Sequence, residues 1–221
     1  LDGSKRKIAI YPCSIISDIN DNSSVVVVLP AEQQYTIRNI AEGSFPMVAV
    51  TDDTELNFKN LCSAIKVSIT GDLSVDFISF SANDGDIKVS GTAIINPDID
   101  SPTLSMTQDG SSYVKLVCPS IKLSEEATDF YIVVPSQKYS NGFSLTISTD
   151  KGLIQKTITS DVTLLRSELY RITPFECKID EDNKNIIFED ANFKSYLISK
   201  FDKDADGEIS YDEALNIKII D

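Results

Sequence analysis

Between residues 5 and 173 the chain is a succession of short β-branched runs separated by turn residues, with almost no helical periodicity, and this pattern restricts the fold to sheets. Successive strand side chains point to opposite faces, so Ile65, Val67 and Ile69 set against Lys66, Ser68 and Thr70 describe a half-buried strand. The same alternation is visible at Ile8 and Ile10, at Ile87, Val89, Gly91 and Ala93, at Val114 and Leu116, and at Phe143, Leu145 and Ile147. Unbroken apolar runs at 25–29 and 130–134 predict strands covered on both faces. Turn chemistry falls between these runs at Gly71-Asp72, Asn83-Asp84-Gly85, Asp109-Gly110, Asn141-Gly142 and Asp150-Lys151-Gly152. The last is flanked by matched runs at 143–149 and 153–159 and predicts a hairpin. Strands at roughly 8 to 12 residue spacing point to an antiparallel sandwich in preference to a barrel. Single helical turns are expected at 125–128 and 164–167.

The 221 residues suffice for one substantial core plus an appendage. Charge locates the appendage: residues 176–221 hold 13 acids and 6 bases, so about a fifth of the chain carries half of the net charge of −14. With that balance and no run of Lys or Arg, neither a nucleic-acid backbone nor an anionic membrane surface is the expected partner. No stretch reaches the roughly 18 apolar residues of a spanning helix. The first residues lack a signal-peptide core, so export would require a leader outside this sequence. Cys13, Cys62, Cys118 and Cys177 allow three two-bridge pairings, among which spacing does not choose. None forms a Cys-x-x-Cys pair of the zinc or redox kind. Cys118 shares the parity of Val114 and Leu116 and is expected to point inward.

The acidic appendage contains one segment whose chemistry can be named. Residues 202–213 place Asp202, Asp204 and Asp206 at positions 1, 3 and 5, Glu208 at 7, Ser210 at 9 and Glu213 at 12. A hard cation takes six to eight oxygens, and this is the register of an EF-hand calcium loop, with Gly207 at the sharply turning position 6. The expected ligand set is the side chains of Asp202, Asp204, Asp206 and Glu213, the carbonyl of Glu208, and Ser210 directly or through water, all around Ca2+. The plainer reading, a solvated acidic turn, leaves unexplained why six acids crowd against one lysine in twelve residues. Upstream, Asp190 can cap a helix to about Lys200 with Phe193, Leu197 and Phe201 on one face. Downstream, Tyr211 to Asn216 allows a short exiting helix. EF-hands ordinarily pair through position 8, occupied here by Ile209, yet no second loop exists. The segment 180–185 has Lys184 and Asn185 where a ligand and a glycine are needed, so it reads as linker. The unpaired edge at Ile209 is expected to dock on the main domain or on a partner.

Catalytic chemistry is sparsely provided for. The chain has no histidine, which removes Ser-His-Asp and Cys-His arrangements and histidine-ligated zinc. Nucleophile-elbow, phosphate-loop and dinucleotide motifs are missing. A glycosidase-type carboxylate pair is available in principle, although most acids sit in turns where capping and solvation account for them. Tyr11, Tyr35, Tyr113, Tyr131, Tyr139 and Tyr170 are scattered over several runs, and there is no Trp, so they read as core packing and not as a sugar platform. The expectation is a protein without catalytic residues.

The order of segments resembles a known family. Phe58-Lys59-Asn60-Leu61-Cys62-Ser63-Ala64-Ile65-Lys66-Val67, then Ile87 to Ala93, Asp129 to Pro135, Gly142 to Ile147 and Leu165 to Ile172 are similar to the fimbrillin-like surface proteins of Bacteroides-type bacteria. The resemblance implies a transthyretin-like Greek-key sandwich, export as a lipoprotein and a part in fimbriae or adhesion. Fimbrillins generally have two such domains and polymerise after cleavage at an arginine, whereas one domain's worth of strands is read here. Of the early arginines, Arg6 and Arg38, the latter is expected inside a strand. The acidic tail resembles the EF-hand-like entry to leucine-rich-repeat surface proteins, which implies continuation past Asp221.

These readings divide the chain into a sandwich at 1–175, a linker at 176–188 and a calcium segment at 189–221. They predict a non-enzymatic surface adhesin or fimbria-related protein at the outer membrane or outside the cell. The expected partner is a surface protein or glycan, and membrane contact is confined to an N-terminal lipid anchor. The alternative is a carbohydrate-binding or dockerin-like module of a secreted glycan-handling system. Dockerins need two calcium repeats, and one is visible.

Overall fold

The alternation at 62–71 and 143–149 builds the centre of the molecule. The computed structural model describes residues 6–19, 24–179, 186, 188, 190–214 and 217. The largest sheet runs Gly152–Ile158, Phe143–Thr149, Ser74–Ala82, Tyr113–Lys122 and Glu32–Gln34 in spatial order. A second sheet sets Thr128–Pro135 beside Cys62–Gly71, which is flanked on its other edge by Leu169–Arg171 and Phe175–Cys177. Inward residues of both sheets, among them Ile65, Val67, Ile78, Phe80, Phe130, Ile132 and Phe143, share one core. Removal of each such side chain from water contributes about 1.5 to 3 kcal/mol. Phe80 anchors the aromatic centre, 4.8 Å from Phe143 and edge-on to Tyr139 at 5.5 Å. The Tyr139 hydroxyl, buried with its ring, donates to the Pro135 carbonyl at 2.8 Å.

Two smaller sheets share a second core. One orders Thr103–Met106, Gly91–Asn96, Val25–Leu29 and Ile16–Ile19, and the other Lys7–Tyr11, Met47–Thr51 and Lys59–Asn60. Val25, Val27, Val48, Ala93 and Ile95 form their core, continued by Leu61, Cys62 and Val133 from the larger stack. The molecule is therefore mainly β, with one helix longer than four residues among the described residues.

The hairpin around Asp150-Lys151-Gly152 forms as expected, with Thr149 opposite Gly152 and Ile147 opposite Ile154. Other expectations need correction. The chain is not wholly antiparallel: Leu169–Arg171 and Phe175–Cys177 run parallel to Cys62–Gly71, as Glu32–Gln34 does to Tyr113–Lys122. Long connections return these short strands to an edge in the same direction. Val25–Leu29 is buried on one face only, with Val28 46% exposed on the other. Ile87 and Val89 precede the strand that starts at Gly91, because Asp84 accepts the Asp86 N–H and closes a turn there. No helical turn forms at 125–128 or 164–167. At the second, the N–H groups of Leu164 and Ser167 are bonded to Gln137 and Cys62 carbonyls on other segments. Arg38 lies in an exposed turn with φ of 55°, not in a strand. Tyr11 and Tyr113 are exposed, so core packing does not account for every tyrosine.

All four cysteines are free, Cys13 at the surface and the others buried. Burial pushes the thiols of Cys62 and Cys118 up to about 12 and that of Cys177 to about 11, which keeps them protonated and poorly reactive.

One side chain bolts the two large sheets together. The buried Gln33 donates from Nε2 to the Val133 carbonyl at 2.8 Å, and its Oε1 accepts the Val133 N–H at 2.9 Å. The amide thereby acts as an extra strand residue on the edge of Thr128–Pro135. Gln33→Leu keeps the volume but orphans both Val133 groups in the interior, so urea unfolding should show a loss of about 3 kcal/mol. An unchanged midpoint and slope would contradict this role.

Candidate metal site

Local sequence preferences position the acidic loop. Asp190 is itself extended, at φ −92° and ψ 109°, and its carboxylate accepts the N–H groups of Asn192 at 2.8 Å and Phe193 at 3.1 Å, so the helix starts where the sequence places it. The helix spans Ala191–Phe201, with Leu197 buried and Phe193 exposed. It ends because Asp202 turns to extended geometry while its N–H still donates to the Ile198 carbonyl at 3.3 Å. The exiting helix is observed over Tyr211–Ala214, and the expected continuation through 215 and 216 lies outside the described residues.

Between the helices the chain coils so that Asp202, Asp204 and Asp206 each offer a carboxylate oxygen, all within 4.8 Å of one another. Two left-handed residues make the coil, Ala205 at φ 59° and Gly207 at φ 82°. Glycine at the second was expected; nothing in the sequence marks an alanine for the first. Oδ2 of Asp202 accepts the Gly207 N–H at 3.0 Å, whereas Oδ1 is buried with no hydrogen-bond partner among the described residues. A carboxylate oxygen in that state is costly unless a cation meets it.

Electrostatics agrees with that geometry. At Asp204 the N–H of Asp206 favours the charged form, but desolvation and the fields of Asp206, Glu213 and Asp202 together outweigh it and raise the carboxyl above its ordinary value. Glu213 goes the other way: the N–H groups of Ser210 and Lys203 hold its carboxyl below the usual range.

The remaining candidate ligands divide. Glu213 is buried, with Oε1 on the Lys203 N–H at 2.6 Å and Oε2 on both the N–H and the hydroxyl of Ser210 at 2.9 Å. It thus ties the first turn of the loop to the last, and Ser210 faces Glu213. Glu208 directs its carboxylate away from the aspartates to Lys194 of the helix at 2.6 Å, leaving its carbonyl as the group it can offer. Lys194 was not singled out from sequence, although a basic residue fourteen positions before an acid carries no signal of pairing. The donor set suits a hard cation: clustered oxygens, no nitrogen or sulfur, and an orphaned buried carboxylate oxygen.

The loop also abuts the sandwich. A Cβ built on Gly152, at the buried hairpin turn, would lie 3.5 Å from Ile179 Cδ1 and 3.7 Å from Tyr211 Cβ, so the exiting helix covers the tip of that hairpin. Nearby, an open depression of about 700 Å³ is lined by charges of both signs, including Asp72, Glu125, Lys151 and the ion pair of Glu176 with Lys178 at 2.7 Å.

No protein-family model matches the chain, and no curated protein does. Among solved structures it is similar to a protein of Bacteroides uniformis ATCC 8492 that bears a provisional designation as a cell adhesion protein. The TM-score is 0.50 at 12% identity, over 77% of this chain and 67% of that one. At that identity the likeness is one of fold.

Proposed function

We propose that the chain is a non-enzymatic, fimbrillin-like adhesion protein displayed on the cell surface, whose EF-hand-like loop holds a structural Ca2+. In this reading 1–175 is a Greek-key body of transthyretin type built on mixed sheets, 176–188 links it to the tail, and 189–221 carries the ion. Asp202, Asp204, Asp206 and Glu213 supply side-chain oxygens, Glu208 its carbonyl, and Ser210 its hydroxyl or a bridging water. The observation that carries the metal assignment is the convergence of three aspartate carboxylates, one of which, that of Asp202, keeps a buried Oδ1 with no hydrogen-bond partner among the described residues. Fold similarity to the B. uniformis protein supports the adhesion assignment. Export by a leader and lipid anchor, with a surface protein or glycan as the ligand, follows from the same reading. Among the described residues no helix is long and apolar enough to cross a membrane.

Calcium acts here as a strut. Extracellular modules commonly bind at about 10⁻⁴ to 10⁻³ M, which keeps a site filled outside the cell. Titration calorimetry should give one calcium per chain, and bound calcium should slow proteolysis within 190–214. Absence of both effects would remove the metal assignment. A glycan array with specific binding to one polysaccharide would move the ligand assignment toward carbohydrate.

A further inference from the structure

A calcium loop of this register exposes the backbone of its eighth residue, and two loops ordinarily satisfy each other there. This chain has no second loop in its sequence, yet Ile209 at that position is fully buried. Its carbonyl accepts the N–H of Ile186 at 2.7 Å. Two residues further on, Phe188 sets its ring edge-on to Phe193 at 5.9 Å. Phe193 stands in the first turn of the helix that delivers Asp202 to the loop. A short stretch before the helix therefore touches the loop through one backbone bond and the helix through one ring.

We infer that the stretch containing Ile186 and Phe188 takes the place of a second hand, making the tail a one-ion unit that binds calcium as a monomer. The inference rests on the calcium reading and deepens it by identifying the loop's partner as the chain's own preceding segment. Pairing with a second copy through Ile209 would have to compete for the carbonyl to which Ile186 already donates. It would also bring together two tails with 13 acids and 6 bases each, which repel. The helix is thus gripped at both ends: Phe188 steadies the end capped by Asp190, and the loop held by Ile186 follows the other.

The test compares wild type, Ile186→Pro and Phe188→Ala by calcium calorimetry and by sedimentation with and without calcium. Proline deletes the N–H that meets Ile209, and alanine deletes the ring contact while leaving the backbone intact. Wild type should sediment as a monomer with one calcium. Ile186→Pro should bind about tenfold more weakly, and Phe188→Ala several-fold more weakly. The thermal transition of the sandwich should stay in place in both, which separates a local effect from misfolding. Wild-type affinity in both variants, or calcium-dependent dimerisation of wild type, would overturn the self-pairing while leaving the ion in place. Failure of wild type itself to bind calcium would instead overturn the reading beneath it.

Discussion

Glu213→Gln should lower calcium affinity by more than about 100-fold, beyond what losing a mere supporting partner of a ligand costs. The substitution keeps the shape and changes two properties. It removes one negative charge from a site whose attraction for a divalent ion depends on charge count. It also replaces an acceptor oxygen with an amide donor at a position where both oxygens receive N–H groups, from Lys203 on one side and Ser210 on the other. A donor then faces a donor, and the tie between the first and last turns of the loop opens. Glu208→Gln is the matched control. Its carboxylate belongs to the ion pair with Lys194, so its affinity should change by less than about threefold. Equal losses in the two variants would mean that charge alone, and not the geometry of Glu213, governs binding.

The largest effect on the sandwich is expected at Gly142. It sits at φ 73°, and a Cβ there would lie 2.0 Å from the Ile158 carbonyl oxygen and 2.7 Å from that of Ser160. Both obstacles are backbone, and Ile158 is the last residue of a strand paired along the full length of Phe143–Thr149. Relief requires peeling that hairpin from its start. Gly142→Ala should therefore cost at least about 3 kcal/mol, or on the order of 10 °C in Tm. Gly207→Ala provides the contrast: it too has a positive φ, at 82°, but nothing lies within 4 Å of its added Cβ. The cost there is conformational, about 1 kcal/mol. Scanning calorimetry of the two variants should separate them clearly; similar transitions would show that the Gly142 approach yields more readily than its geometry implies.

What could be read beforehand was periodicity and local chemistry. Phe143, Leu145 and Ile147 point inward because alternation is a property of the strand itself, and Asp190 caps its helix because a carboxylate two and three residues before free N–H groups has few better partners. Pairing was harder to see. Gly71-Asp72 reads as a turn between two strands, yet Cys62–Gly71 and Ser74–Ala82 belong to different sheets. A turn sequence records a change of direction without recording whether the chain folds back beside itself or crosses the core. The same limit explains Val25–Leu29, since five apolar residues look alike whether a strand is covered on two faces or on one. At the metal site, the spacing supplied the carboxylates and Gly207, all local in sequence. Lys194, Ile186 and the buried Gln33 act across folded distance and leave no spacing to recognise.

A crystal structure of the protein grown in excess calcium would decide whether the loop holds an ion. One ion is expected, coordinated at about 2.3 to 2.6 Å by Asp202 Oδ1 and by oxygens of Asp204, Asp206, Glu208 and Glu213. Well-ordered carboxylates at 202, 204 and 206 spread around solvent, with Oδ1 of Asp202 still unmet, would contradict that expectation.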